Sequence, residues 1–454
     1  MCSGFPALFF AVAYNNPRDS WSQVVPIRLR LLRERFVVFF GKGSYGRDTL
    51  INTLGVLFAA VIPVAVLPIL SRLYSPAEFG LFGVFAALVG LGTIASTGRY
   101  EAAILLPEED DAAVSIACAA FLFLTAFVSA LAIIFTLAYF IGVGSVRAHS
   151  ALIGLGVIAV AFSGCVQILL SAAIRKRVFA KVSFARFCAA LVSAFLSILL
   201  GASTQYAEGL AIGVTAGYAV CALILSRVVA RQYGGVSLPD RAAIYGQVKR
   251  YRNFPLFSLP SDFSNTLATN LPVLFFSTFF GSAATGYLTM FQRIWAGTSI
   301  MVTGLGETFR QRAATERQQT GNFNRTMRVT LLPLVLLSVV LCATLVLLGP
   351  KLFEVVAGVE WREAGVYGQI LAPFVCLQFV ASPVSWSFYI AERLKLLAVW
   401  QLALLVSFSL SLFVGSKLFS AQGTLAVLSC VGVVLYAIYI LISERISREE
   451  NKVS

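Results

Sequence analysis

Arg186 and Arg293 each stand inside a long run of apolar residues. Ionisable groups are expensive in hydrocarbon and are retained there for a ligand or a partner. An arginine in that setting offers a planar fork of N–H donors suited to an anionic group, and Gln292 beside Arg293 adds an amide. The sequence leaves two readings of Arg293 open: contact with an anionic ligand, or a structural salt bridge or cap on backbone carbonyls. Arg186 lies near the end of its run, where it can also extend along the helix to reach headgroups. Asp262 and Glu307, within or at the edges of such runs, are carboxylates through which a proton or sodium ion would be coupled. They could equally pair with Arg310 or Arg252. Arg99, Tyr100 and Glu101 close another run, and read either as a gate or as a helix-end ion pair with the tyrosine at headgroup level.

Other chemistry finds less support. Glu108, Glu109, Asp110 and Asp111 form a short loop before an apolar run, where acids favour a helix N-terminus more readily than a metal. His149 is the lone histidine. The eight cysteines show no CxxC spacing, and seven of them fall within apolar runs, so they read as small packing residues. No metal, cofactor or catalytic constellation is expected. The longest outer connector, 349–364, carries one carboxylate pair, Glu360 and Glu363, beside Arg362, which argues against a membrane enzyme such as a polymerase or ligase.

The elements that must position these residues follow from composition. Of 454 residues, 58% are hydrophobic and 12% charged, with mean hydropathy +0.84, which excludes an ordinary water-soluble globule. Twelve runs can span a bilayer: roughly 49–71, 77–98, 112–141, 150–173, 182–201, 207–228, 256–280, 285–307, 329–349, 365–391, 395–415 and 421–443. The net charge of +14 then becomes an orientation signal. With a cytoplasmic N-terminus, only Arg72, Arg147, Lys351, Arg362 and Lys417 fall outside, Arg186 and Arg293 lie within helices, and every other Lys and Arg is inside. This is an all-α polytopic membrane protein with both termini cytoplasmic, and its charge is no nucleic-acid footprint.

The expected organisation is an N-terminal extension (1–46), a six-helix bundle (47–228), a cytoplasmic connector (229–255), a second six-helix bundle (256–443) and a tail (444–454). Residues 24–40 mix four arginines with large apolar residues and suit an interfacial helix, unless the extension is simply an unstructured tail. The bundles read as parallel repeats. YSPAEFGLFGVF (74–85) matches FGSAATGYLTMF (280–291), pairing Gly80 with Gly286 and Phe85 with Phe291. Pro63 and Pro68 in the first span, and Pro260 and Pro272 in the seventh, are candidate hinges or static kinks. Basic segments at 175–181 and 249–252 read as topological determinants that could also collect an anionic headgroup. Trp361, Trp386 and Trp400 read as interfacial anchors, whereas Trp295, nearer mid-span, reads as lipid-facing or as a platform for a sugar.

Residues 67–113, with SPAEFG followed by a span, RYEAAI and a proline-acidic loop, resemble the N-terminal signature of bacterial polysaccharide or O-antigen repeat-unit flippases. These belong to the multidrug/oligosaccharidyl-lipid/polysaccharide superfamily. Residues 251–309, with FP, a mid-helix LP, an FG turn and a QR pair, are similar to that family's second-half signature. The resemblance covers about 47–445; the N-terminal extension, and twelve spans where some relatives have fourteen, depart from it. It implies a flippase of the bacterial inner membrane for a polyprenyl-pyrophosphate-linked O-antigen or exopolysaccharide repeat unit, with Arg293, Gln292 and Arg186 as the candidate contacts to pyrophosphate and glycan. Membrane lipids surround it, and polysaccharide polymerase machinery would act beside it. A drug or metabolite exporter of the same superfamily is the nearest alternative.

Overall fold

A backbone surrounded by hydrocarbon must satisfy its own hydrogen bonds, and apolar runs of this length do so as α-helices. The computed structural model describes residues 61–235 and 239–449, which form helices and turns with no strand among them. The N-terminal extension and the start of the first span lie outside the described residues. The first half holds α1 (Val61–Leu73), α2 (Pro76–Ser96), the short α3 (Tyr100–Ala103), α4 (Asp110–Ile141), the short α5 (Gly144–Ala148), α6 (Ser150–Arg175), α7 (Phe179–Ser203) and α8 (Ala207–Gln232). After α9 (Arg241–Arg250) and a π-helical turn (Phe254–Ser258) come α10 (Leu259–Phe279), α11 (Gly281–Ala296) and α12 (Thr298–Thr320). The chain then continues through α13 (Asn324–Ala357), α14 (Arg362–Val384), the short α15 (Trp386–Ile390), α16 (Leu394–Leu418) and α17 (Ala421–Arg448).

Among the described residues, nine helical segments are long and apolar enough to cross a membrane. The segments outside that set are informative. α10 carries Asp262, Asn265 and Asn270, and α11 carries Gln292 and Arg293. Both helices pack against α2, so polar character concentrates where the halves meet. By contrast α4 and α13, with 32 and 34 residues, are each about 50 Å long and mostly exposed, as tilted or protruding lipid-facing helices would be.

Several boundaries differ from the sequence expectation for local reasons. The expected span 285–307 is an irregular helix running from Gly281 to Thr320, interrupted at Gly297, whose N–H turns back to the Ile294 carbonyl (3.1 Å). The expected polar connector 308–328 is therefore largely helical, and Glu316 accepts from the backbone of Arg325 (3.1 Å) and Thr326 (2.8 Å) to start α13. The connector 229–255 contains α9, capped by Asp240 accepting from the Ala243 N–H (2.8 Å). Pro260 lies in the first turn of α10, directly after the π turn, which absorbs the donor it lacks; Pro272 is buried in the interior of α10.

Taking the end with residues 75, 206 and 281 as outer, the apolar core is distributed unevenly. Near that end one continuous cluster spans both halves, including Phe79, Phe82, Phe276, Phe291 and Trp361. Towards the cytoplasmic end the clusters separate. Tyr100, Ile116 and Ile168 belong to the first half, as do Val182, Cys221 and Leu225; Phe309, Phe323 and Phe388 belong to the second. The apolar core is thus shared by the halves at the outer end and divided at the other, where an ion pair between Arg99 and Asp262 still joins them.

Candidate functional site at the seam

The seam is built on α2 and α11. Ser75 caps α2 by accepting from the Glu78 N–H (3.4 Å), Pro76 occupies its first turn, and Glu78 accepts from the Ala207 N–H (2.5 Å), which ties α2 to α8. Here the sequence repeat becomes a contact. A Cβ on Gly80 would overlap the carbonyl oxygen of Ser282, and one on Gly286 would overlap that of Pro76. Since Pro76 and Ser282 are themselves repeat equivalents, the interface is reciprocal. Glycine is needed at both positions because backbone fills the space of a side chain. A Cβ at Gly83 would likewise collide with Thr289.

Aromatic residues close the outer end around this crossing. Phe79 of α2 packs edge-on to Trp361 with centroids 4.9 Å apart, Tyr287 lies 6.2 Å from Trp361, and Phe276 lies 6.1 Å from Tyr367. Trp361 is 1% exposed, and its indole N–H donates to the Ser71 carbonyl of α1 at 2.8 Å. Trp361 is therefore no interfacial anchor: that bond satisfies its polar edge inside the protein. Trp295 stacks on Phe291 at 6.3 Å and packs against the core rather than standing free towards lipid.

Arg293 lies just beneath this plug. Its guanidinium carbon is 4.4 Å from the Phe82 ring centroid and 6.0 Å from that of Phe79, both across the seam on α2. Among the described residues no ion pair or hydrogen bond is recorded for it, so neither structural alternative, salt bridge nor carbonyl cap, is seen. It is densely surrounded by protein yet keeps part of its surface accessible, as does Tyr218 of α8, which packs on the same core. Gln292, next to it on α11, is also partly accessible. Phe79, Phe82 and Tyr218 were not singled out from sequence; for the two phenylalanines the signal was the glycine-aromatic spacing of EFGLFGVF (78–85), and Tyr218 had none.

Arg186 is not brought to this place. α7 packs chiefly against α8, away from the seam, and Arg186 sits beside the Val182–Cys221–Leu225 cluster. No ion pair is recorded for it among the described residues.

At the inner end of α2, Gly98 and Arg99 take the left-handed conformation (φ 58° and 61°) and reverse the chain into α3. This turn presents Arg99 to two carboxylates, Glu101 at 3.0 Å and, across the seam, Asp262 of α10 at 2.8 Å. Glu101 is 4% exposed and also accepts from the Thr97 hydroxyl at 2.5 Å. Asp262 thus pairs with Arg99 rather than with Arg252 or Arg310. Tyr100 is buried, packs tilted against Phe123 at 5.1 Å and donates to the Val248 carbonyl at 3.3 Å, so its ring and hydroxyl are both taken up by protein. Glu307 is on α12, and its side chain lies outside the described residues.

The acidic loop has its own partners. Asp110 accepts from Lys176 (2.5 Å) and Arg175 (3.5 Å), and Arg175 also donates to the carbonyls of Ile104, Pro107 and Glu108. The hydrogen bond from Lys176, reinforced by Arg175, holds the Asp110 carboxyl below its ordinary range. These two cations hold the loop and are not free to collect an anionic headgroup.

A family model described as polysaccharide biosynthesis protein matches residues 69–366. Among solved structures, the lipid II flippase MurJ in an inward closed conformation is similar with a TM-score of 0.65 at 12% identity, covering 87% of each chain. The inward-facing conformation of a multidrug resistance MATE family transporter of the MOP superfamily gives 0.54 at 15% identity, covering 87% of this chain and 94% of that one. A MATE in complex with MaD3S gives 0.52 at 14%, covering 88% and 95%. Likenesses at these identities establish the fold. No curated protein matches the sequence.

Proposed function

Because the chain belongs to the polysaccharide biosynthesis protein family, we propose that it is a flippase. It moves a polyprenyl-pyrophosphate-linked oligosaccharide, an O-antigen or exopolysaccharide repeat unit, from the inner to the outer leaflet of the bacterial inner membrane. The observation that carries this reading is Arg293, an accessible cation without an ion-pair partner among the described residues, placed at the seam beneath a closed outer end. Its fork matches a diphosphate, and Gln292 supplies donors and an acceptor for sugar hydroxyls.

The sequence of events follows from the uneven core. With the apolar core shared outside and divided inside, the headgroup enters from the cytoplasmic side once the Arg99–Asp262 pair parts, while its lipid tail stays in the bilayer. The halves then part at the Gly80–Gly286 crossing and approach one another within the inner leaflet, so that access alternates without a covalent step. Pro63, Pro68, Pro260 and Pro272 are the flexing points of α1 and α10 in this motion. Arg99, Tyr100 and Glu101 form the inner gate, with Asp262 as the partner from the second half. If a proton or sodium ion drives the cycle, Asp262 takes it up by leaving Arg99, and Glu307 is the second candidate. Arg186 would act only as a receiving cation at the inner leaflet.

The test is Arg293→Ala in a host whose surface polysaccharide depends on this protein. Polysaccharide should be lost at normal protein level and membrane insertion, and Arg293→Lys should recover part of it. Normal polysaccharide in the alanine variant would remove the site assignment. Accumulation of the lipid-linked repeat unit on the inner leaflet separates the flippase from an exporter of free metabolites or drugs.

A further inference from the structure

The seam between α2 and α11 is reciprocal at Pro76, Gly80, Ser282 and Gly286 but not further in. At the register that pairs Gly80 with Gly286, the equivalent of Arg293 is Ala87 and that of Phe82 is Leu288. Ala87 and Leu288 are both buried, 2% and 1% exposed, so the packing of the seam is met on one side by ordinary apolar residues. The Arg293–Phe82 contact has no counterpart. Close packing of two helices does not require a guanidinium on a ring, and the cation sits on that ring in place of a carboxylate.

We propose that Phe82 is a positioning residue for transport. It is the resting place of the Arg293 guanidinium in the empty, outer-closed protein, and the diphosphate of the substrate displaces it. The inference rests on the reading of Arg293 as the diphosphate contact. A cation over an aromatic face is held by a single, weakly directional attraction, whereas phosphate offers paired charge-assisted hydrogen bonds, so the anion wins the exchange. The ring is on the first half and the arginine on the second. Moving the guanidinium onto a ligand therefore removes one tie across the seam at the moment the headgroup arrives. The remaining ties described there are the glycine crossing, the aromatic plug and the Trp361–Ser71 hydrogen bond, none of which involves a charged group. Headgroup binding and loosening of the outer end are thereby the same event, and an uncharged lipid cannot trigger it.

The experiment uses the full chain in lipid nanodiscs, with its native cysteines replaced and spin labels at Tyr206→Cys and Ala283→Cys, exposed positions on outer turns of the two halves. Farnesyl diphosphate is the probe and farnesol the control; binding of the probe and the distance between labels are measured separately. In the parent protein the diphosphate should populate a longer distance and farnesol should not. Phe82→Leu, which installs the residue found at the equivalent position, should raise the long-distance fraction without probe by roughly 3- to 10-fold, reduce the further increment on adding probe, and leave probe affinity equal or tighter. Phe82→Tyr should restore the parent behaviour. The same distances in Phe82→Leu as in the parent, with and without probe, would overturn the proposal. So would equal opening in Phe82→Leu and Phe82→Tyr, since loss of fit rather than of the cation–ring contact would then be the cause. If the parent binds no farnesyl diphosphate, the reading of Arg293 itself fails, a result distinct from a bound probe that leaves the seam unmoved.

Discussion

Gly80 and Gly286, equivalent positions of the two halves, meet each other across the seam, each giving up a side chain to the backbone of the other half. A sequence repeat has become an interface between its own copies. Reciprocity of this kind means that one motion of the halves opens both contacts together, which suits a two-state gate.

Gly80→Ala and Gly286→Ala should each prop the outer end open. Overpacking of a tight interface costs about 1–3 kcal/mol, enough to shift a balanced equilibrium without preventing insertion. Labelling of the outer turns by an impermeant thiol reagent should increase in both variants, and transport should fall. Unchanged labelling in both would show that the crossing does not hold the outer end shut.

Arg99→Ala should destabilise the protein more than Asp262→Asn. The first leaves the buried Glu101 carboxylate without its cation, a situation costing about 3–5 kcal/mol where burial is complete. The second removes a pair whose acid is 40% exposed and whose worth is about 0–1 kcal/mol. Thermal melting in detergent compares them, and equal losses would contradict the geometry.

Arg186→Ala should leave surface polysaccharide far closer to normal than Arg293→Ala, because α7 packs on α8 and not on the seam. Equal loss in the two variants would place Arg186 in the substrate path.

The Asp110 contact sets a pH response. Its carboxyl is lowered in the folded protein, so the stability it contributes is present above the ordinary carboxylate pKa of about 4 and is lost as pH falls through the lowered value. Proteolytic protection of the 104–112 loop should therefore persist to below about pH 4 and then fall. Asp110→Asn should be less protected at neutral pH and lack that step. A step in the variant matching the parent's would assign it to another group.

Pattern alone marked the helices, because a run of apolar residues has no alternative to helix once water is gone. It also carried the repeat that aligned Gly80 with Gly286, which the structure brings into contact. The deep cation Arg293 was legible for the same reason: a charge inside an apolar run stands out at any position.

What the linear pattern could not carry was partnership. Phe82 and Arg293 lie in different halves, as do Arg99 and Asp262, and nothing local to either residue specifies the other. The indole of Trp361 looked like an anchor until its N–H met the Ser71 carbonyl. Helices form from interactions a few residues apart, so sequence determined them. Which faces meet and which charges pair are set by packing between distant segments, and only the tertiary structure decided those.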